Sequence, residues 1–242
     1  MEAWIKDIAP NLYSYRKRFW QSVDQTVSMF LIAGGIAFVL GLLLGLVLTI
    51  THKDGIKPNK AVHFILNLII NAFRSVPFLI LLIFLIPFTR SLVGTAIGVT
   101  GAIVPLVFGT VPFFTRQVEA ALANVDPGKV EAARSMGSST LGIILRVYLH
   151  EAVPDLIRAT TITAISLIGL TTMAGAVGAG GIGSFALNYG NGQNHQDIVN
   201  ACVLILFATV IILQTIGNAL ARRTTNRKLL SFSGRTKTEA AK

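Results

Sequence analysis

VSMFLIAGGIAFVLGLLLGLVLTI, residues 27–50, is a stretch of 24 residues without a charged side chain. About 20 helical residues cross the hydrocarbon core of a bilayer, so this stretch is long enough to span a membrane. It is too long for the core of a signal peptide, and no small-residue cleavage pattern follows it, so we expect a retained span. Within it, Gly41 and Gly45 have the small-residue spacing that lets two helix backbones approach closely.

The composition of the whole chain supports a membrane protein. Hydrophobic residues make up 52% of the 242 residues and charged residues 13%, whereas a soluble domain has about 25% charged residues. Four more apolar stretches follow the first, and Pro105 and Pro112 are expected to break the third. We therefore predict an all-α membrane protein with five transmembrane helices, at about 27–50, 64–88, 96–115, 159–177 and 198–220.

The segments outside these spans are basic, and the net charge is +10. The basic residues lie between and after the apolar stretches, as topology signals do, so we expect a lipid bilayer and no nucleic acid as partner. Lys and Arg number 15 on one side and 5 on the other, which predicts the N-terminus outside and the C-terminus inside. Residues 1–26 are predicted to form an interfacial segment, and residues 221–242 a disordered, basic cytoplasmic tail.

The longest polar segment, 116–158, contains DPGKVEAARSMGSSTLGIILRVYLHEAVP at 126–154. Asp126 is a plausible N-cap and Pro127 a plausible first residue of a short helix. That helix is predicted to end near Gly137, and Ser138 or Ser139 to cap a second, amphipathic helix. Two short helices joined at a glycine predict a knob on the cytoplasmic face. The simpler alternative is an amphipathic loop that rests on the membrane.

The knob carries a recognisable motif. Glu131-Ala132-Ala133, followed by Gly137 and by Val147-Tyr148-Leu149, resembles the EAA motif of ABC-importer permeases. The resemblance implies a type I ABC importer permease fold, in which this loop docks on a separate ATPase subunit. It also implies a set of coupling residues: Glu131, Ala132, Ala133, Arg134, Gly137 and Leu149. The family pattern ends in proline where this chain has His150, and Pro154 is the candidate for that turn.

Three further segments resemble the methionine-import permeases in particular: 73–78 (FRSVPF), 86–89 (IPFT) and 175–181 (GAVGAGG). This resemblance implies a homodimer in the bacterial cytoplasmic membrane, with two ABC ATPase subunits and an extracytoplasmic methionine-binding lipoprotein. It implies L-methionine as substrate, with D-methionine and derivatives as further candidates. A permease for another amino acid or small peptide shares every feature of the residues. An ion-driven secondary transporter is disfavoured because the five spans contain no Asp or Glu, and a structural scaffold is the third alternative.

Sequence patterns for nucleotide or metal chemistry are incomplete. The G-x-G-x-x-G spacing of Gly178, Gly180 and Gly183 follows a membrane span rather than a strand, and 137–142 lacks the phosphate-binding lysine of a P-loop. His150-Glu151 has Pro154 in place of a second zinc ligand. We therefore expect no catalytic residue, metal or cofactor in this chain, and ATP and Mg²⁺ to be bound by the partner ATPase.

Two features inside the spans are hypotheses for the pathway. Met173 lies among small residues, including Gly175, and a flexible thioether there is a candidate gate, with Gly178 at the outer end. Arg74 is an ionisable residue in an apolar stretch, which marks a functional site by default. A snorkelling arginine near the cytoplasmic interface is the alternative, and on sequence alone we favour it.

Overall fold

The computed structural model describes residues 9–239, with side chains as far as 225, and shows no β-strand in that part of the chain. Ten helical segments are numbered here. They are α1 (Pro10–Ser14), α2 (Arg16–Thr51), α3 (Lys60–Ser75), α4 (Phe78–Phe84), α5 (Ile86–Val93), α6 (Gly98–Ala123), α7 (Pro127–Ser135), α8 (Thr140–Ala179), α9 (Gly181–Phe185) and α10 (Gln196–Glu239).

Four helices among the described residues are long and apolar enough to cross a membrane: Arg16–Thr51, Gly98–Ala123, Thr140–Ala179 and Gln196–Thr225. The helices α3 and α4, bent by 103° relative to each other, make a fifth span if the pair is counted as one broken span. The predicted all-helical architecture is thus confirmed, but the second span is not one straight helix over 64–88. Pro77 causes the break because it excludes the helical conformation at Val76, whose φ and ψ are −87° and 125°.

The other spans are longer than their apolar stretches. In α6 the helix is unbroken through Pro105 and Pro112 and continues to Ala123, so the prediction of a break in the third span was wrong. Both prolines are buried. Tertiary packing holds a proline-containing helix together within a membrane protein, because neighbouring groups replace the lost hydrogen bonds. Polar residues with good helix propensity then carry the helix beyond the apolar core.

The first span packs tightly on the third through its two glycines. A Cβ built on Gly41 would lie 2.6 Å from Phe114 Cδ1, and one on Gly45 would lie 2.6 Å from Val118 Cγ1. Both glycines are buried. The spacing therefore indicates close helix packing, as predicted, and the partner is α6 of the same chain.

We call the end of the molecule with the 52–56 turn and residues 124–139 the coupling end. The opposite end, with residues 9–20 and 180–197, is the far end. Because α2 runs from Arg16 at the far end to Thr51 at the coupling end, these two ends are separated by the first span. This separation agrees with the charge-based orientation, which places them on opposite sides of the bilayer.

At the far end the chain reverses through its glycine cluster. Gly178, Gly180 and Gly181 have φ values of 93°, 81° and 78°, which favour glycine strongly. The reversal folds α9 back against α8, and a Cβ on Gly175 would lie 2.6 Å from the Ser184 nitrogen. The G-x-G-x-x-G spacing therefore serves a tight helical reversal.

The described part of the N-terminal segment packs on this far-end reversal. The Asp197 carboxylate accepts hydrogen bonds from Asn11 N at 3.0 Å, Asn11 Nδ2 at 3.1 Å and Leu12 N at 3.2 Å. Tyr15 donates to Gln193, and Phe19 meets Phe185 edge-on. Residues 10–14 and 16–26 are thus helical and anchored to the protein, and residues 1–8 of the predicted interfacial segment lie outside the described part.

The last helix continues past the predicted boundary near 220. Its backbone is helical as far as Glu239, whereas the sequence composition predicted disorder from 221. Residues 240–242 lie outside the described part. Helix propensity favours this extension, because most of the residues between Ala219 and Leu230 are good or neutral helix formers.

Candidate functional site

The short helix α7 at the coupling end forms as its sequence predicts. The Asp126 carboxylate accepts a hydrogen bond from Gly128 N at 2.8 Å, and Pro127 occupies the first turn. The helix closes with the Met136 amide bonded to the Ala132 carbonyl, after which Gly137 adopts a φ of 77°. Of the two serine candidates, Ser139 caps the next helix by accepting from Gly142 N at 3.2 Å.

The second helix of the knob differs from the prediction. It continues without a turn into the fourth span, and a π-helical turn at Ile144–Tyr148 is its one irregularity before Ala174. Pro154 is buried inside the helix and makes no turn, so the proposed substitute for the family proline was wrong. Since proline has no N–H, it leaves the His150 carbonyl without its usual helical donor and weakens the helix at that point.

The motif residues do not share one face. Glu131, Ala132, Arg134 and Gly137 are exposed, and Leu149 is half-buried. Ala133 is 6% exposed and belongs to a buried cluster with Ile143 and Tyr148. Its small side chain therefore lets α7 lie against its own protein, while Ala132 faces outward.

Three apolar side chains on the knob are exposed, which the motif alone did not indicate. Met136 is 78% exposed, Leu141 64% and Leu145 54%. Leu141 and Leu145 are one helical turn apart, so they lie on the same face of α8. The amphipathic spacing was visible in the sequence, but it could not tell which face would be covered. We define the coupling surface as Glu131, Ala132, Arg134, Met136, Leu141 and Leu145.

The knob is fixed to the spans by polar and steric contacts. Lys129 Nζ on α7 lies 2.9 Å from Glu151 Oε2 on α8. A cleft of about 740 Å³ opens between α7, the end of α6 and the 52–56 turn. Glu131 and Arg134 line this cleft beside Arg116 and Glu119. The cleft lies on one side of α7. On its other side, the Lys129–Glu151 ion pair and Ala133 attach α7 to the rest of the protein.

The sequence matches the model of the family described as binding-protein-dependent transport system inner membrane component, over residues 37–228. The chain belongs to this family. It is 45% identical over 203 residues to the probable D-methionine transport system permease protein MetI of Vibrio cholerae, covering 84% of this chain and 90% of the relative. It is 44% identical to the methionine import system permease protein MetP of Bacillus subtilis, covering 72% and 78%.

Solved structures agree with the fold. A structure of the MetNI methionine ABC transporter in an inward-facing conformation matches with a TM-score of 0.85 and 39% identity. The match covers 87% of this chain and 98% of that chain. The protein is therefore the multi-pass permease component of an ABC importer, and its spans and knob have the arrangement of that type of subunit.

Inside this permease, an arginine that the sequence analysis did not single out joins the second and third spans. Arg116 on α6 pairs with Glu119, with Nη1 2.6 Å from Oε2. Its Nη2 donates to Asn71 Oδ1 at 2.9 Å and also to Asn67. Both ionic side chains are about one-fifth exposed. The two asparagines were conspicuous in an apolar stretch, but a partner 45 residues away along the chain leaves no local signal.

The candidate gate residues are separated by the permease fold. Met173 is 44% exposed on α8, and Gly178 is exposed at the reversal. Gly175 is buried against α9. Met173 thus lies on the open face of the subunit, where a gate must lie, whereas Gly175 serves packing inside the chain.

Arg74 lies in the last turn of α3, immediately before the bend of the second span. It is fourteen residues beyond Lys60, which is about 21 Å along the helix axis. Its neighbour Phe73 contacts Phe108, with ring centroids 5.3 Å apart, near the middle of α6. Arg74 is therefore far from the coupling end, and the snorkelling interpretation does not fit this position.

Among residues 9–225, no group of three or more His, Cys, Asp or Glu side chains could hold a metal ion. The described residues therefore offer two features: a surface on which a partner can dock, and polar and flexible side chains along a candidate pathway. The coupling surface lies at one end, the Arg116 cluster lies close to it, and Arg74 and Met173 lie progressively nearer the far end.

Proposed function

We propose that this chain is the membrane-spanning subunit of an ATP-driven methionine importer. The support for methionine is that relatives 44–45% identical over most of their length carry that substrate in their names, in two distantly related bacteria. L-Methionine is the expected substrate, and D-methionine is expected to compete with it. The complete importer is proposed to contain two copies of this chain, two ATPase subunits and an extracytoplasmic methionine-binding lipoprotein.

The observation that carries the proposal is the coupling surface. Met136, Leu141 and Leu145 expose apolar side chains beside Glu131 and Ala132, at an end of the protein that the charge distribution places in the cytoplasm. Exposed apolar side chains that cluster in this way mark interaction sites. A docked ATPase covers them, and ATP and Mg²⁺ are bound on that partner.

Transmission from the ATPase to the pathway follows from the connections of α7. When the two ATPase subunits close on ATP, they move α7, which is attached to α8 through Ala133 and the Lys129–Glu151 ion pair. Because α8 is continuous from Thr140 to Ala174, the movement reaches Met173. The binding protein delivers its ligand to the outward-open state, and hydrolysis restores the inward-open state. Such a cycle needs ligand contacts that differ between two states rather than tight binding in either one.

The test is co-purification of the permease with its ATPase, followed by methionine-stimulated ATP hydrolysis and uptake in proteoliposomes that also contain the binding protein. Met136→Ser and Leu141→Ser each remove part of the coupling surface. We expect each to weaken ATPase retention about 5–30-fold, since truncating an important interface residue costs about 1–2 kcal/mol. The matched control is Lys53→Ser, which changes a side chain that is 77% exposed at the same end of the molecule.

The result that contradicts the coupling assignment is full ATPase retention and full uptake in both surface variants. Ala133 is not suited to this test, because a larger side chain there meets the chain's own core. Uptake competition with unlabelled amino acids separates methionine from another amino acid or a small peptide. Uptake that survives ATP depletion would favour an ion-driven transporter, and absence of both transport and ATPase binding would favour a scaffold.

A further inference from the structure

A cavity of about 230 Å³ lies at the bend of the second span. At ~30 Å³ per water molecule this is the space of about eight waters, which suits an amino acid better than a peptide. Its walls come from α3, α4, α6 and α8. The lining side chains that matter are Arg74 on α3, Thr110 on α6 and Ser166 on α8, surrounded by Phe73, Val76, Phe78, Leu81, Phe113 and Leu170.

The polar side chains of this cavity lack partners. Arg74 and Ser166 make no hydrogen bond or ion pair with any of the described residues 9–225. The Thr110 hydroxyl is buried, with the residue 1% exposed, and also has no partner. Other threonines in the spans, such as Thr115 and Thr163, donate to the carbonyl one turn earlier. The buried Thr110 hydroxyl therefore lacks a partner that a polar ligand could supply, and the exposed Arg74 and half-buried Ser166 beside it are free to contact the same ligand.

The depth of the cavity excludes the common partners of a membrane arginine. Thr110 lies near the midpoint of α6, so the cavity is near the middle of the span. A lipid phosphate lies at the membrane interface rather than at this depth. A second copy of the chain has no carboxylate to offer there, because the five predicted spans contain no Asp or Glu. The exposed guanidinium is consequently available to an anion that arrives from outside the protein.

We propose that this cavity is a transient binding site for an amino acid with an uncharged, apolar side chain, on its way through the permease. Arg74 binds the α-carboxylate. The phenylalanine and leucine side chains enclose the ligand's side chain, and Thr110 and Ser166 supply neutral polar contacts. No acidic residue lines the cavity, so ligands with a basic side chain are disfavoured.

The location of this site relative to the gate supports a place on the pathway. Ser166, Leu170 and Met173 follow one another at helical spacing on one face of α8. Met173 therefore lies one turn beyond the cavity, toward the far end. The Arg116 cluster lies in the opposite direction, nearly two turns along α6 from Thr110. The cavity is thus between a candidate outer gate and a polar cluster nearer the coupling end.

This inference rests on the proposed import of amino acids, so its test must separate the two. The complex of two permease and two ATPase subunits, in lipid nanodiscs and without the methionine-binding lipoprotein, is equilibrated with radiolabelled L-methionine or with L-methioninol, which keeps the amine and the thioether but has no carboxylate. We expect the wild type to prefer methionine about tenfold or more, as a charge-assisted hydrogen bond implies. Arg74→Met is expected to bind the two compounds equally, and lysine should compete with methionine poorly.

Matched variants keep the outcome unambiguous. Arg90→Met removes another exposed arginine, which lies outside the cavity, and should leave the preference unchanged. Arg74→Lys retains a cation and should keep a reduced preference even if Arg74→Met fails to assemble. A diazirine analogue of methionine should label peptides containing 73–81 or 109–113 in the wild type.

The proposal is overturned if the wild type binds methionine and methioninol equally, if it shows no saturable methionine binding, or if Arg74→Met retains the preference. If the wild type imports methionine in proteoliposomes while any of these results holds, the site is wrong and the proposed function stands. If the wild type imports no methionine at all, the proposed function fails first.

Discussion

Replacing Gly45 with alanine tests the packing of the first span on the third. The new Cβ would lie 2.6 Å from Val118 Cγ1, 2.7 Å from Val118 Cβ and 3.1 Å from the Thr115 carbonyl oxygen. Carbon atoms normally pack at about 3.5–4.0 Å. Two of these atoms belong to rigid parts of α6, so α2 and α6 must separate by about 1 Å to admit a single methyl group.

The magnitude follows from two opposing effects. Overpacking of a tight core costs about 1–3 kcal/mol, and replacing glycine with alanine inside a helix stabilises by roughly 0.5–1 kcal/mol. Gly35 lies on the same helix, and a Cβ there meets nothing within 4 Å. Gly35→Ala therefore gains helix stability without any cost of overpacking. The free energies of unfolding of the two variants should differ by about 1–3 kcal/mol, with Gly45→Ala the less stable.

The assay is unfolding of the purified protein in detergent micelles by titration with a denaturing detergent, followed by circular dichroism. Gly45→Ala should shift the midpoint to lower denaturant and Gly35→Ala to equal or higher denaturant than the wild type. Equal midpoints for the two variants would refute the close-packing argument. A loss of stability confined to Gly35→Ala would show instead that the open face of α2 is the tightly packed one.

Further substitutions test other contacts. Arg116→Met should lower the free energy of unfolding by about 1–3 kcal/mol by removing the cation that joins Glu119 to the second span, whereas Arg158→Met, in a more exposed pair, should cost less than about 1 kcal/mol in the same titration. Asp197→Ala should release the N-terminal helix and speed its cleavage in limited proteolysis, while Asp24→Ala, which breaks none of those contacts, should not. Gly137→Val should destabilise α7 by about 1–2 kcal/mol through its positive φ, although a side chain there meets no neighbour, and Asn at this position should be better tolerated. Unchanged thermal melting of Gly137→Val would contradict the assigned backbone conformation.

Local signals predicted the parts of the fold that depend on neighbouring residues. Asp126, Pro127 and Gly137 bound the knob helix as capping chemistry requires, and the spacing of Gly41 and Gly45 identified a real site of close approach. The apolar stretches located the spans because the thickness of a bilayer sets their length. These inferences need no knowledge of which distant segments meet.

Contacts between distant segments were not predictable in the same way. Asp197 lies 186 residues from Asn11, so no local pattern links the two, yet its carboxylate holds the backbone of Asn11 and Leu12. Ala133 and Ala132 are equivalent in the sequence motif, and only the packing of α7 on its own protein separates a buried residue from an exposed one. The sequence did not show whether Pro154 ends a helix or lies within one, because tertiary contacts can support a proline inside a helix.

The helix α8 is unbroken from Thr140 to Ala174, and its length gives the subunit a mechanical property. From Thr140 to Pro154 it measures about 21 Å, and from Pro154 to Met173 about 28 Å, at the ~1.5 Å rise per residue of a helix. If the helix tilts about Pro154 as a rigid body, the two arms move in opposite directions. Their lengths amplify a displacement at the coupling end by about 1.4 at Met173. A small inward push on the knob thus becomes a larger outward swing at the opposite side of the membrane.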